Sequence, residues 1–160
     1  WRGRRMDESI DVRRGLLTGE FFEFHGEIYD LQSVKMTPAP SAPLPILIGG
    51  HGEAALRRAA RTGDGWMHGG GDPAELPGLL ARLAELRREH ARDSEPFEIH
   101  AISMDAYTPD GVRRLEDLGI TDAIVGFRWP YHVGPDPEPL QPKLDAIARF
   151  ADDVITNVRP

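Results

Sequence analysis

Hydrophobic and polar positions change period several times along the chain, and each change marks an element. Near the start, Met6, Ile10, Arg13 and Leu17 fall on one helical face, and the pattern stops at Gly19. Residues 20–45 show no helical period. Phe21, Phe22 and Phe24 lead to His25-Gly26 and then to Ile28, Tyr29 and Leu31, which predicts a short hairpin with a glycine turn. Pro38, Pro40, Pro43 and Pro45 hold an extended lead-in. Ile46, Leu47 and Ile48 follow, an apolar run too short for a helix that reads as a strand covered on both faces. A glycine turn, a helix and a second strand at Gly65 to His68 come next.

The rhythm then repeats. Asp72-Pro73-Ala74-Glu75 has the form of a helix start, with an N-cap, a proline and a carboxylate, although Pro77 and Gly78 allow the start to slip to Pro77. Leu76, Leu79, Leu80, Leu83 and Leu86 supply the buried stripe. A third strand is expected at about Phe97 to Met104, a short helix from Thr108-Pro109 to Gly119, and a fourth strand at Ala123 to Phe127. After a proline-rich loop, Leu144, Ile147, Ala148, Ala151, Val154 and Ile155 form the stripe of a last helix.

Alternating strands and helices indicate an α/β fold with a parallel sheet and helical crossovers. Four such units behind a helix and a hairpin correspond to the C-terminal half of a TIM (β/α)8 barrel, which takes about 250 residues when complete. Residues 1–160 are therefore expected to be the C-terminal part of one barrel domain whose N-terminal half is absent. Its inner sheet face is expected to meet other strands, by homo-oligomer formation or by pairing with the missing half.

Composition narrows the function. A net charge of −7 argues against a nucleic-acid or anionic-membrane binder. No apolar run reaches transmembrane length, and without cysteine there is neither disulfide nor thiolate metal site, which suits a cytoplasmic protein.

Functional groups of βα barrels sit in the loops after the strands. The most informative of these loops is Gly49-Gly50-His51-Gly52-Glu53-Ala54. Three glycines in four residues let a backbone approach a ligand closely, and the following helix aims free N–H groups and its positive dipole end at the loop. A tight turn alone needs fewer glycines, so phosphate binding is the favoured reading. Glu53 would repel a phosphate unless its carboxylate turns outward.

His68 ends the second strand and is a candidate for substrate binding or proton transfer, and Arg128 beside Trp129 and Tyr131 for clamping an anionic or planar ligand. Asp64-Gly65 begins a strand and reads as a structural turn, Trp66 as core, and Arg4, Arg5, Asp7 and Glu8 as exposed helix pairs. No catalytic base is identified. Histidines 51, 68 and 132 all follow strands, which leaves open a metal-dependent hydrolase, although no His-x-His pair or His-Glu-x-x-His helix is present. A non-catalytic half-barrel that binds a partner chain is the remaining alternative.

Arg2-Gly-Arg-Arg-Met-Asp-Glu8, Phe24-His-Gly-Glu-Ile-Tyr29, Pro38-Ala-Pro40, the Gly49-Gly50 turn, the helix Ala55-Leu-Arg-Arg-Ala-Ala-Arg61 and Gly63-Asp-Gly-Trp66 stand in an order that resembles the luciferase-like monooxygenase superfamily, particularly its members that use the deazaflavin coenzyme F420. The resemblance implies an oxidoreductase or monooxygenase that holds F420 or FMN at a barrel mouth and moves a hydride, or activates oxygen, on a small organic substrate. It assigns Gly49, Gly50, His51, Gly52, Glu53 and Ala54 to the cofactor's phosphate or tail, and turns the His68 position toward substrate. It implies no resident metal.

Overall fold

The computed structural model describes residues 1–127 and 133–158. Helix α1 (Arg2–Leu17) is followed by a hairpin of β1 (Phe22–His25) and β2 (Asp30–Val34), then by β3 (Leu47–Gly49), α2 (Glu53–Thr62), β4 (Gly65–His68), α3 (Leu76–Glu89), β5 (Glu98–Ile102), α4 (Pro109–Asp117), β6 (Asp122–Ile124) and α5 (Leu140–Phe150). The four strands β3 to β6 pair in parallel and in chain order, as the alternating pattern predicts. The hairpin stands apart as a two-stranded antiparallel ribbon.

The parallel register sorts the strand residues onto two faces. Ile48, Trp66 and Ile99 occupy one row and pack with Leu56, Ala59, Ala60, Leu83 and Leu86 of α2 and α3. The opposite face carries Leu47, Met67, His100, Ile102 and Asp122, with Met67 37% and Ile102 44% exposed. Helices thus cover one face, so β3 is not buried on both sides as its apolar run suggests; Leu47 is only half-buried.

Several predicted boundaries move, each for a local reason. Helix α3 starts at Leu76 with Glu75 before it, and not at an Asp72 cap. Asp72 instead accepts the Ala74 N–H at 2.9 Å in a separate turn, while Pro77, lacking an N–H, fits the first turn of the helix. Strand β5 ends at Ile102 because Ser103 caps a 3₁₀ turn, Met104–Tyr107, through the Asp105 N–H. Strand β6 ends at Ile124, since Gly126 turns away and exchanges hydrogen bonds with the Tyr107 hydroxyl. Thr108 caps α4 through the Gly111 N–H at 3.1 Å, as its sequence suggests. The last helix departs most. Leu144 and Ile147 are 48% and 50% exposed, α5 buries no residue, and the predicted stripe reaches the interior only at Val154, in the π-helical stretch Ala151–Ile155. Among the described residues no helix is long and apolar enough to cross a membrane.

Side chains of α1 tie the amino-terminal elements together, a role their reading as exposed pairs misses. Asp7 bridges to Arg58 at 2.7 Å and Arg61 at 3.1 Å on α2. Gly15 lets the Phe22 ring lie directly on the helix, where a Cβ would collide with it. The Glu8 carboxylate accepts the N–H groups of Glu27, Ile28 and Tyr29 at 2.9, 3.0 and 2.9 Å, closing the hairpin turn. The Tyr29 N–H first, with those of Ile28 and Glu27, holds this carboxyl below the usual carboxylate range. A group with a depressed folded pKa contributes stability above its unfolded value and loses it as pH falls through the folded one. Amide exchange at Ile28 and Tyr29 is therefore expected to accelerate as pH drops below the ordinary carboxylate range, after correction for intrinsic rates. Glu8→Gln should raise the rate several-fold at neutral pH and remove that inflection. Equal protection in both proteins would assign the hairpin's closure elsewhere.

Candidate functional site

The loop between β3 and α2 lies at the C-terminal ends of the strands. Gly49 ends β3, and Gly50 adopts φ +114°, a conformation that side chains rarely take. Gly52 is the extended N-cap of α2, with no side chain capping the helix, and its carbonyl accepts the Ala55 and Leu56 N–H groups. The N–H groups of Glu53 and Ala54 meet no acceptor among the described residues, which leaves the helix start open.

Glu53 does turn outward. Its carboxylate joins Arg82 at 2.7 Å and Arg57 at 2.8 Å, linking α2 to α3. Arg82 above all, helped by Arg57, holds the Glu53 carboxyl down to about 2. Arg82 also meets Glu85 at 2.9 Å and Glu89 at 3.3 Å, and Arg57 meets Glu89 at 3.2 Å. Both arginines are therefore engaged by carboxylates.

An aromatic cluster supports the loop from below. Trp66 is fully buried, and its indole Nε1–H donates to the Gly50 carbonyl at 2.9 Å. His51 stacks on His68 with ring centroids 4.5 Å apart and planes 9° from parallel. His68 is 3% exposed and shares a face with Trp66, so its ring lies on the helix-covered side of the sheet, not on the open face. Its Nδ1 has no partner among the described residues. Burial first, then the neighbouring His51, pushes the His68 pKa down, which keeps this imidazole neutral at pH 7.

Sequence-predicted residues thus divide into two groups. Gly49 to Ala54 and His68 come together, whereas Arg128, with Trp129, Tyr131 and His132, lies outside the described residues. Face-to-face stacking directs the ring nitrogens of His51 and His68 along parallel planes and not toward a common point, which gives no support to a metal held by that pair. On the open face, His100 Nε2 lies 2.9 Å from Glu98 and 3.2 Å from Asp122. Asp64 is structural, as expected: it accepts the Ile46 N–H at 2.9 Å and pairs with Arg14 at 2.9 Å. A broad concavity beside Arg14, Pro43 and Asp64 lies at the strand-entry end, away from the glycine loop. The indole–carbonyl bond to Gly50 and the histidine stack were not foreseen, though Trp66 and His68 at i and i+2 offered a signal of a shared face.

Known proteins bear on this arrangement. The sequence profile of the luciferase-like monooxygenases matches residues 2–111. An uncharacterized protein of Mycobacterium tuberculosis is 62% identical over 157 residues, covering 98% of this chain and 54% of that protein. An F420-dependent glucose-6-phosphate dehydrogenase of Gordonia bronchialis is 31% identical over 115 residues, 71% of this chain and 34% of its own length. The coenzyme F420-dependent tetrahydromethanopterin reductase of Methanopyrus kandleri shares the fold, with a TM-score of 0.74 over 98% of this chain and 64% of that one at 15% identity. The chain spans about half the length of the mycobacterial relative.

Proposed function

The chain belongs to the luciferase-like monooxygenase family, and from that premise we propose that it is the C-terminal part of an F420- or FMN-dependent oxidoreductase barrel whose cofactor phosphate or tail lies against Gly49, Gly50, His51, Gly52, Glu53 and Ala54. The observation that carries this reading is the open start of α2 behind Gly50, where the Glu53 and Ala54 N–H groups meet no acceptor among the described residues and the Glu53 carboxylate is drawn aside. F420 is the preferred cofactor because relatives and fold neighbours such as the Gordonia and Methanopyrus enzymes use it.

The residues present fit such a group. Backbone N–H groups of the α2 turn would hold the anion, His51 would border it, and Trp66 would keep Gly50 in position. When bound, the cofactor supplies the hydride or oxygen chemistry, on a small organic substrate. His68, within the helix-covered layer, serves the shape of the loop.

The protein carrying this chain at its full natural length should bind oxidised F420, read by quenching of deazaflavin fluorescence, and the bound cofactor should be reduced by a substrate. Failure to bind either F420 or FMN would refute the reading.

A further inference from the structure

We propose that His68 is a positioning residue whose neutral ring supports His51, and through it the loop after β3, and whose protonation releases that loop. The inference rests on the reading of the loop as the cofactor's seat and adds the condition under which the seat keeps its shape. Three contacts make the support. His68 is 3% exposed, and its ring lies against that of His51 with centroids 4.5 Å apart and planes 9° from parallel. Trp66 stands 5.7 Å from His68 and 6.1 Å from His51, and its indole donates to the Gly50 carbonyl beside them. Gly71, at φ +131°, brings the loop after β4 up to the His51 ring, where a Cβ would stand 3.7 Å from Cε1.

A proton on His68 would undo this arrangement. Neutral flat rings stack at little cost, whereas a charge would sit in the dry layer beneath α2 and α3. An imidazolium carries a hydrogen on both nitrogens, and the one on Nδ1 would find no acceptor among the described residues. Burial first and His51 second oppose the charge, and they outweigh the Ile102 carbonyl and Glu75, which favour it. The other charged groups on the packed elements are turned elsewhere. Glu53, Arg57 and Arg82 meet in the outer lattice, Arg58 and Arg61 meet Asp7, and Arg87 donates to the Arg92 and Glu95 carbonyls. Asp72 accepts the Ala74 N–H, and His100 stands on the opposite face of the sheet. A histidine whose folded pKa lies below its unfolded one lends stability above the unfolded value and loses it as pH falls through the folded one. The loop is therefore firm at neutral pH and loosens in acid. A proton on His51 acts the other way, since a positive charge on the loop attracts an anion.

The test compares full-length wild-type and His68→Phe proteins, because a Phe ring keeps the stack and takes no proton. F420 affinity is read by fluorescence quenching from about pH 8 to about pH 5, and the ratio of the two affinities cancels the titration of the ligand itself. The two should bind alike at the upper end, and wild type should lose about threefold or more relative to the Phe protein at the lower end. His68→Leu, without a flat ring, should bind several-fold weaker already at neutral pH. Hydrogen–deuterium exchange at histidine Cε1, read by mass spectrometry, gives the titration of each ring, and the loss should follow His68. Equal pH profiles for wild type and the Phe protein, a Leu protein as tight as the Phe protein, or an affinity that rises in acid with His51 would overturn the inference. Should His68→Phe fail to fold, His51→Phe removes the charge that opposes His68, whose titration should then move upward; an unmoved titration refutes the coupling. Amide exchange over residues 49–54 without cofactor keeps the two readings apart. Exchange that quickens in acid in wild type but not in the Phe protein upholds the support, even where an unaltered F420 affinity in Gly50→Asp removes the cofactor from the loop.

Discussion

Gly50→Asp is expected to weaken cofactor binding by at least tenfold, or about 1.4 kcal/mol, in the full-length protein. Three effects act together. A side chain at φ +114° is strained, its Cβ would stand 3.0 Å from that of Ala55, and its carboxylate would face the open helix start. Gly50→Ala separates them, since it retains the strain and the crowding without the charge; its loss should be smaller than that of Asp. Titration with F420 and FMN, with circular dichroism to establish folding, measures both. Unchanged affinity in a folded Gly50→Asp protein would remove the phosphate loop from the account.

Trp66→Ala should produce the largest loss of stability, about 3–5 kcal/mol, as expected for deleting a fully buried aromatic ring. Trp66 belongs to the buried cluster that holds Ile48, Leu56, Ala59 and Leu83, so its deletion leaves a cavity within the packed core. Trp66→Phe retains most of the apolar contact but removes the donor to Gly50, and should cost about 1 kcal/mol from that bond, apart from any imperfect packing. Denaturant unfolding gives both values. The Phe protein should also bind cofactor less well than its stability alone suggests, because its loop carbonyl has lost its partner. A Phe protein of wild-type affinity would make the indole bond incidental to the site.

Much of the parallel sheet was legible because its information is local: a short apolar run, a glycine turn, then a helix with apolar period. The Thr108 cap shows this directly, since cap, proline and helix stand within a few residues. What was misplaced depends on distant partners. Leu144 and Ile147 have the spacing of a buried stripe, yet spacing does not state whether a covering layer exists in this stretch of chain. Glu8 reads as one more exposed charge until the hairpin, some twenty residues later, turns three N–H groups onto it. At the site, the glycines announced an open loop, whereas the engagement of Glu53 depends on Arg82, 29 residues away, and the histidine stack on the pairing of β3 with β4.

The exposed lattice around Arg82 makes ionic strength a hidden variable of this protein. At about 0.1 M salt the Debye length is roughly 10 Å, longer than any contact between Glu53, Arg57, Arg82, Glu85 and Glu89; at about 1 M it shrinks to roughly 3 Å, the length of the contacts themselves. Added salt therefore weakens a bound anion's attraction to the helix start and at the same time loosens the tether that draws the Glu53 carboxylate aside. Both changes act on anionic ligands and vanish for uncharged ones, and the same screening also weakens the repulsion between Glu53 and the anion. Affinities measured in different buffers will diverge in proportion to ligand charge, and a salt series will separate what the phosphate contributes from what the ring contributes.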